Sequence, residues 1–190
     1  MEFFENTRLK IGNSFLAKKM EKARRKTYYS EISQVKNIGI VWDASKTKEF
    51  GFLSRFHQKM HEERNIEVKI IGYYPGKELP DQYTALRYLS CIRKNELNLL
   101  YTPVSTEADY FIKTRFDVLI DINFEKIFPL YYITSLSVSS FKVGIYDSVN
   151  NSSVYDLMIE LKKPYQVEKY LDEVIHYLEM INPDPYKVDK

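Results

Sequence analysis

The chain has 190 residues, 44% hydrophobic and 28% charged, with a net charge of +2; that size and balance support one sizeable core plus an appendage and exclude disorder along most of its length. A lone cysteine, Cys91, excludes an intramolecular disulfide, and no apolar run reaches the ~18 residues that a membrane-spanning helix needs. The opening MEFFENTRLK begins with acids and aromatics and lacks the pattern of a signal peptide, so a cytoplasmic protein is expected.

The charge is unevenly placed. Residues 1–36 hold nine Lys/Arg against four Glu, a net +5, while the remainder holds 19 basic and 22 acidic residues, a net −3. Between Arg8 and Lys26 the positions of Leu9, Phe15, Leu16, Met20 and Ala23 predict one side of a helix, with Lys18, Lys22 and Arg25 on another. The basic set is Arg8, Lys10, Lys18, Lys19, Lys22, Arg24, Arg25 and Lys26. Residues 1–36 thus read as a basic amphipathic helix and polar connector, 37–182 as the folded domain, and 183–190 as a tail.

The domain opens with NIGIVW, a strand ending in Asp43, after which Ser45 is the expected N-cap of a helix reaching Arg64 with Phe52, Leu53, Phe56 and Met60 buried. IEVKIIGY at 66–73 is a second strand, closed by the turn Pro75-Gly76. Over 81–101 the periodicity allows a helix at 82–93 with a strand at 97–101, or a strand at 88–92. Ser105 or Thr106 then caps a helix with Glu107 and Asp109 in its first turn and Lys113 near its end, an order that complements the helix dipole. FDVLIDI at 116–122 is a buried strand, followed by a helix over 128–139. Strands at 141–146 and 155–161 are joined by about eight polar residues, including Asn150 and Asn151, too few for a parallel crossover, so an antiparallel edge hairpin is expected. A helix over 166–181 closes the domain before Pro183 and Pro185. Alternating strands and helices predict an α/β, Rossmann-like three-layer fold on a mostly parallel sheet.

In such a sheet, ligands bind beyond the C-terminal strand ends where the strand order reverses. Asp43 and Asp121 end two strands, with Ser45 and Asn123 beside them. They form either a polar site for a small ligand or cation, or a set of loop and helix caps. Neither GxGxxG nor GxxxxGK[ST] occurs, which argues against a dinucleotide or P-loop site. Asp43 also lacks the second Asp two residues on that aspartate-nucleophile phosphatases use. His57 and His61, with Glu62, have a spacing that could grip a metal, but HExxH is absent, His176 is remote and a solvated helix face explains the pair. Cys91 has no identifiable base, and Ser135, Ser137, Ser139 and Ser140 lack the GxSxG elbow. No catalytic residue, metal or cofactor is therefore expected.

The segments NIGIVWDAS, residues 72–80 with GYY and KELP, FDVLIDINFEKIFPLYYITSLSVSSFKVG, and YDLMIEL resemble an uncharacterised Bacteroidota family of unknown function over most of residues 8–180. The resemblance implies a strand just before residues 94–98, hence at 88–92, and supplies no activity. FDVLID, the following apolar helix and FKVG also resemble, over about thirty residues, part of the N-terminal acceptor-side half of heptosyltransferase-type glycosyltransferases. The nucleotide-sugar half is not in the chain. The expected function is a non-catalytic binding or adaptor protein whose basic helix meets RNA, the ribosome included, or an acidic protein, ahead of a membrane surface. The alternative is a ligand sensor or enzyme at the Asp43 and Asp121 crevice.

Overall fold

A computed structural model describes residues 2–29, 31–146 and 154–181. Helix α1, Glu2–Lys22, precedes the sheet. The strands are β1 (Asn37–Asp43), β2 (Glu67–Tyr74), β3 (Leu89–Arg93), β4 (Val118–Asp121), β5 (Phe141–Ile145) and β6 (Leu157–Ile159). Helices α2 (Phe50–Arg64), α3 (Thr106–Lys113), α4 (Phe128–Leu136) and α5 (Val167–Met180) alternate with them. The strand order is β3-β2-β1-β4-β5-β6, a Rossmann-like arrangement that reverses between β1 and β4.

The sheet's two-residue period sorts its side chains onto two faces. Ile38, Ile40 and Trp42 of β1, with Val68, Ile70, Val118 and Ile120, meet Leu53, Phe56 and Met60 of α2 and Val174 and Leu178 of α5. Val41, Ile71, Ile92 and Leu119 point the other way, against Phe111 of α3 and Leu130 and Ile133 of α4. Burial on both faces explains why FDVLIDI is so continuously apolar.

Among the described residues every strand pair is parallel, including β5 with β6, where Val143, Gly144 and Ile145 oppose Leu157, Met158 and Ile159. This corrects the expected antiparallel edge hairpin. The last strand starts at Leu157 rather than Tyr155, so the connection lengthens to residues 146–156, close to what a crossover needs. Asp156 pins the register from that connection: its Oδ2 accepts the Lys142 N–H at 2.8 Å, and its own N–H donates to the Lys142 carbonyl at 2.8 Å. Asn150 and Asn151 lie outside the described residues, as does the 183–190 tail.

Ser45 does not cap α2. A 3-10 turn at Thr47–Glu49 intervenes, the helix begins at Phe50, and the Ser45 hydroxyl donates to Asp43 instead. Ser105 does cap α3, its Oγ accepting from the Ala108 N–H at 3.2 Å. The strand expected at 88–92 is β3, displaced by one residue.

Helix α1 lies on α4 rather than on the sheet. Leu9, Gly12, Leu16 and Met20 make its seam, with Leu16 fully buried against Phe128 and Tyr132. A Cβ on Gly12 would stand 2.6 Å from the Leu100 carbonyl oxygen, so only glycine allows this approach. The expected stripe is corrected at two positions: successive helical residues point about 100° apart, so Phe15 cannot share a face with Leu16 and is exposed, and Ala23 lies beyond the helix end. The chain leaves the helix at Lys22 because the connector is drawn to the sheet, where Tyr28 N–H donates to the Ser140 carbonyl and Arg25 pairs with Asp156.

Candidate functional site

Val41 of β1 pairs with Asp121 of β4, so the two expected acids flank the reversal of strand order, Asp121 one pleat below Asp43. Both point to the face covered by α3 and α4. The structure brings Asn123 between them but leaves the two carboxylates in separate cavities. One, about 10 Å³, is bordered by Asp43, Lys46, Glu49 and Asn123 and holds no more than a water. The other, about 70 Å³, is bordered by Asp121, Asn123, Lys126, Tyr131 and Tyr155.

Asp43 spends one oxygen on its own turn, accepting from the Ser45 N–H at 3.1 Å and the Ser45 hydroxyl at 2.6 Å. Asp121 is buried and saturated. Its Oδ1 accepts from the Asn123 N–H at 3.1 Å and Asn123 Nδ2 at 2.6 Å, and its Oδ2 from Thr134 Oγ1 at 3.0 Å and Tyr155 OH at 2.9 Å. Burial raises its pKa, while the four donors pull it back. Asn123 Nδ2 also reaches the Val41 carbonyl at 3.2 Å, which sews β1 to β4. Burial and the neighbouring Asp121 push the Tyr155 and Tyr170 phenols up, so both stay protonated; Tyr155 donates to Asp121, while the buried Tyr170 hydroxyl has no partner among the described residues. These contacts tie four segments together and engage both oxygens of Asp121.

Sequence reasoning missed a second buried charge. Lys142 of β5 is 2% exposed, and its Nζ donates to the Thr134 carbonyl at 2.7 Å and the Ser135 carbonyl at 3.2 Å, in the last turn of α4. A cation there answers the partial negative charge of the helix end. Burial, and then the Arg25 guanidinium, lower its pKa to about 7 against the opposing pull of Asp156. The signal lay in FKVG: in a strand buried on both faces, residues alternating with Phe141 and Val143 must also be inside, and a lysine inside needs partners.

The basic segment divides into anchors and free cations. Arg8 Nε donates to the Leu99 carbonyl at 2.5 Å, with its guanidinium 4.5 Å from the centre of the Tyr101 ring. Lys19 Nζ bonds Tyr132 OH at 2.7 Å. Arg25 pairs with Asp156 at 2.6 Å and reaches the Ser140 carbonyl at 3.2 Å. Lys10, Lys18, Lys22, Arg24 and Lys26 are exposed, and among the described residues none pairs with a carboxylate.

His57 stacks on Tyr88 with ring centres 3.9 Å apart, and burial together with His61 lowers its pKa. The Cys91 thiol is pushed up to about 12 by burial and by Glu96, which removes it as a nucleophile at neutral pH.

The strand order and the reversal between β1 and β4 define a Rossmann-like α/β protein in which Asp121, at the usual ligand crevice, is engaged by neighbouring donors beside a cavity of about 70 Å³. The chain belongs to a family of unknown function, DUF6913, whose model matches residues 8–181 and so takes in most of α1 as well as the sheet. No curated protein matches the chain.

Proposed function

We propose that this is a non-catalytic binding or adaptor protein of the cytoplasm that contacts RNA, the ribosome included, or an acidic protein through α1 and the residues just after it. The observation that carries the reading is the division of the basic segment: Arg8, Lys19 and Arg25 fasten it to the domain, while Lys10, Lys18, Lys22, Arg24 and Lys26 face solvent without carboxylate partners. Helical spacing aligns Phe4, Ile11, Phe15, Lys18 and Lys22 along one outward line, and the first three are exposed. Such a row supplies phosphate or carboxylate contacts beside apolar anchors. Among the described residues no helix is long and apolar enough to cross a membrane, and the reduced thiol of Cys91 suits a cytoplasmic setting.

The test compares the full chain with a Lys10→Glu, Lys18→Glu, Lys22→Glu variant as bait in native lysate at low and high salt, with RNA and protein both identified. Expected is RNA or an acidic protein held by the native chain, released by salt and lost in the variant, because each neutralised phosphate adds to the salt dependence. Equal capture by both baits, or capture of neither class, overturns the reading.

A further inference from the structure

The exposed line of α1 has a second regularity. Phe4, Arg8, Ile11, Phe15, Lys18 and Lys22 follow one another at steps of four, three, four, three and four residues, the spacing by which one α-helix presents a seam to another. At the rise of an α-helix the line runs for about 27 Å. Its first half is apolar: Phe4, Ile11 and Phe15 are 73%, 51% and 43% exposed, so they serve no core of this chain. Arg8 turns aside to the Leu99 carbonyl, which sets Leu99, itself exposed, beside that half. The second half is cationic, and no acid stands on the line: Glu5 and Glu21 lie about 100° to either side of it. Lys19 Nζ lies 4.9 Å from the centre of the Phe15 ring while bonding Tyr132, which holds that ring in place. Gly12 and Leu16 seat the helix on α4, so a partner meets a helix already ordered.

We propose that this line binds an acidic amphipathic helix of a partner protein, whose apolar side chains pack among Phe4, Ile11, Phe15 and Leu99 and whose carboxylates meet Lys18 and Lys22. The inference rests on the reading of α1 as the contact helix and names what that helix contacts. An RNA strand would set its phosphates against the apolar half, where Ile11 offers no ring on which a base can stack. A membrane would receive Lys18 and Lys22 along with the aromatic rings, whereas a helix lying in a bilayer surface keeps its cations off its apolar line. A second α1 brings no acid to Lys18 and Lys22, because its own line holds none. A partner helix with an apolar stripe and carboxylates answers both halves.

The two halves contribute differently. Contacts between exposed charges are screened by salt, while apolar packing is not, so salt separates the share of Lys18 and Lys22 from that of Ile11 and Phe15.

The experiment titrates the full-length protein into a labelled synthetic helix of about three heptads, with leucine at the same four-three steps and glutamate on both flanks, read by fluorescence anisotropy. At neutral pH the glutamates repel one another, which keeps the peptide from pairing with itself. The control has the same composition with its leucines moved off the line; a short uridine oligonucleotide and phosphatidylserine vesicles are the competing probes. The patterned peptide is expected to bind at least about tenfold more tightly than the control. The Ile11→Ser, Phe15→Ser variant is expected to weaken that binding about tenfold at low and at high salt, with the unliganded melting temperature held because both side chains are exposed. The Lys18→Glu, Lys22→Glu variant is expected to weaken it at low salt and to be rescued by a peptide with lysine in place of glutamate. Equal binding of patterned and control peptides, or an Ile11→Ser, Phe15→Ser variant that binds as the native chain does, overturns the inference. The oligonucleotide bound where the peptide is not overturns it as well and leaves the adaptor reading standing. Vesicles bound in place of the peptide, or none of the probes bound, also overturns it, and the lysate comparison then decides the wider reading.

Discussion

The molecule buries two opposite charges against one helix and treats them differently. Asp121 and Lys142 both meet α4 through Thr134, whose hydroxyl donates to the acid while its carbonyl accepts from the lysine. The acid receives four donors and is saturated; the lysine receives two acceptors, beside a buried serine hydroxyl with no partner among the described residues. The acid stands where parallel sheets usually bind their ligands and the lysine does not. Saturation, more than address, distinguishes the two.

The contrast is broken most directly at Asp121. Asp121→Ala leaves the Asn123 N–H and the Thr134 and Tyr155 hydroxyls without their acceptor, an expected loss of ~3–5 kcal/mol in urea unfolding. A loss below about 1 kcal/mol would mean that the cluster is not what ties β4 to α4. Leu16→Ala comes next. It hollows the seam of α1 on α4, at an expected cost of ~2–4 kcal/mol, with proteolysis in α1 accelerated ahead of the sheet. If α1 is cut no faster than the sheet, the helix is held by its polar anchors instead.

Lys142→Met sharpens the comparison through pH. Folding lowers the lysine's pKa to about 7, so between that value and its ordinary one the unfolded chain holds more protons than the folded one. Stability from this group therefore rises with pH across that window, by up to ~5 kcal/mol, and the penalty is greatest below it. Denaturation from pH 7 to 9.5 is expected to show that rise in the native protein and a flatter profile in Lys142→Met; parallel profiles would assign the proton elsewhere. The smallest expected effect is at Cys91, whose thiol should alkylate at neutral pH well below the rate of a free cysteine, because its thiolate is scarce. Labelling at the free-thiol rate would show that the pocket around it opens.

Most of the architecture was legible because burial on both faces of a parallel sheet leaves a strong apolar signature, as in Val118–Asp121. The pairing of β5 with β6 was not, because it turned on where the last strand begins, a matter of Asp156 gripping Lys142 across the edge. Asp43 and Asp121 end the two strands that flank the reversal of strand order, but their carboxylates border separate cavities. The saturation of Asp121 was invisible, since Thr134 and Tyr155 come from distant segments. Ser135 attracted notice only as one serine among four; nothing local announces a missing hydrogen-bond partner.

Helix α1 is gripped through one row, Leu9, Gly12, Leu16 and Met20, and presents another row to its surroundings. Exposed substitutions of that kind typically shift stability by no more than ~0.5 kcal/mol. The outward residues can therefore be exchanged while the grip and the sheet beneath stay as they are. The surface of the helix is free to vary without renegotiating the fold.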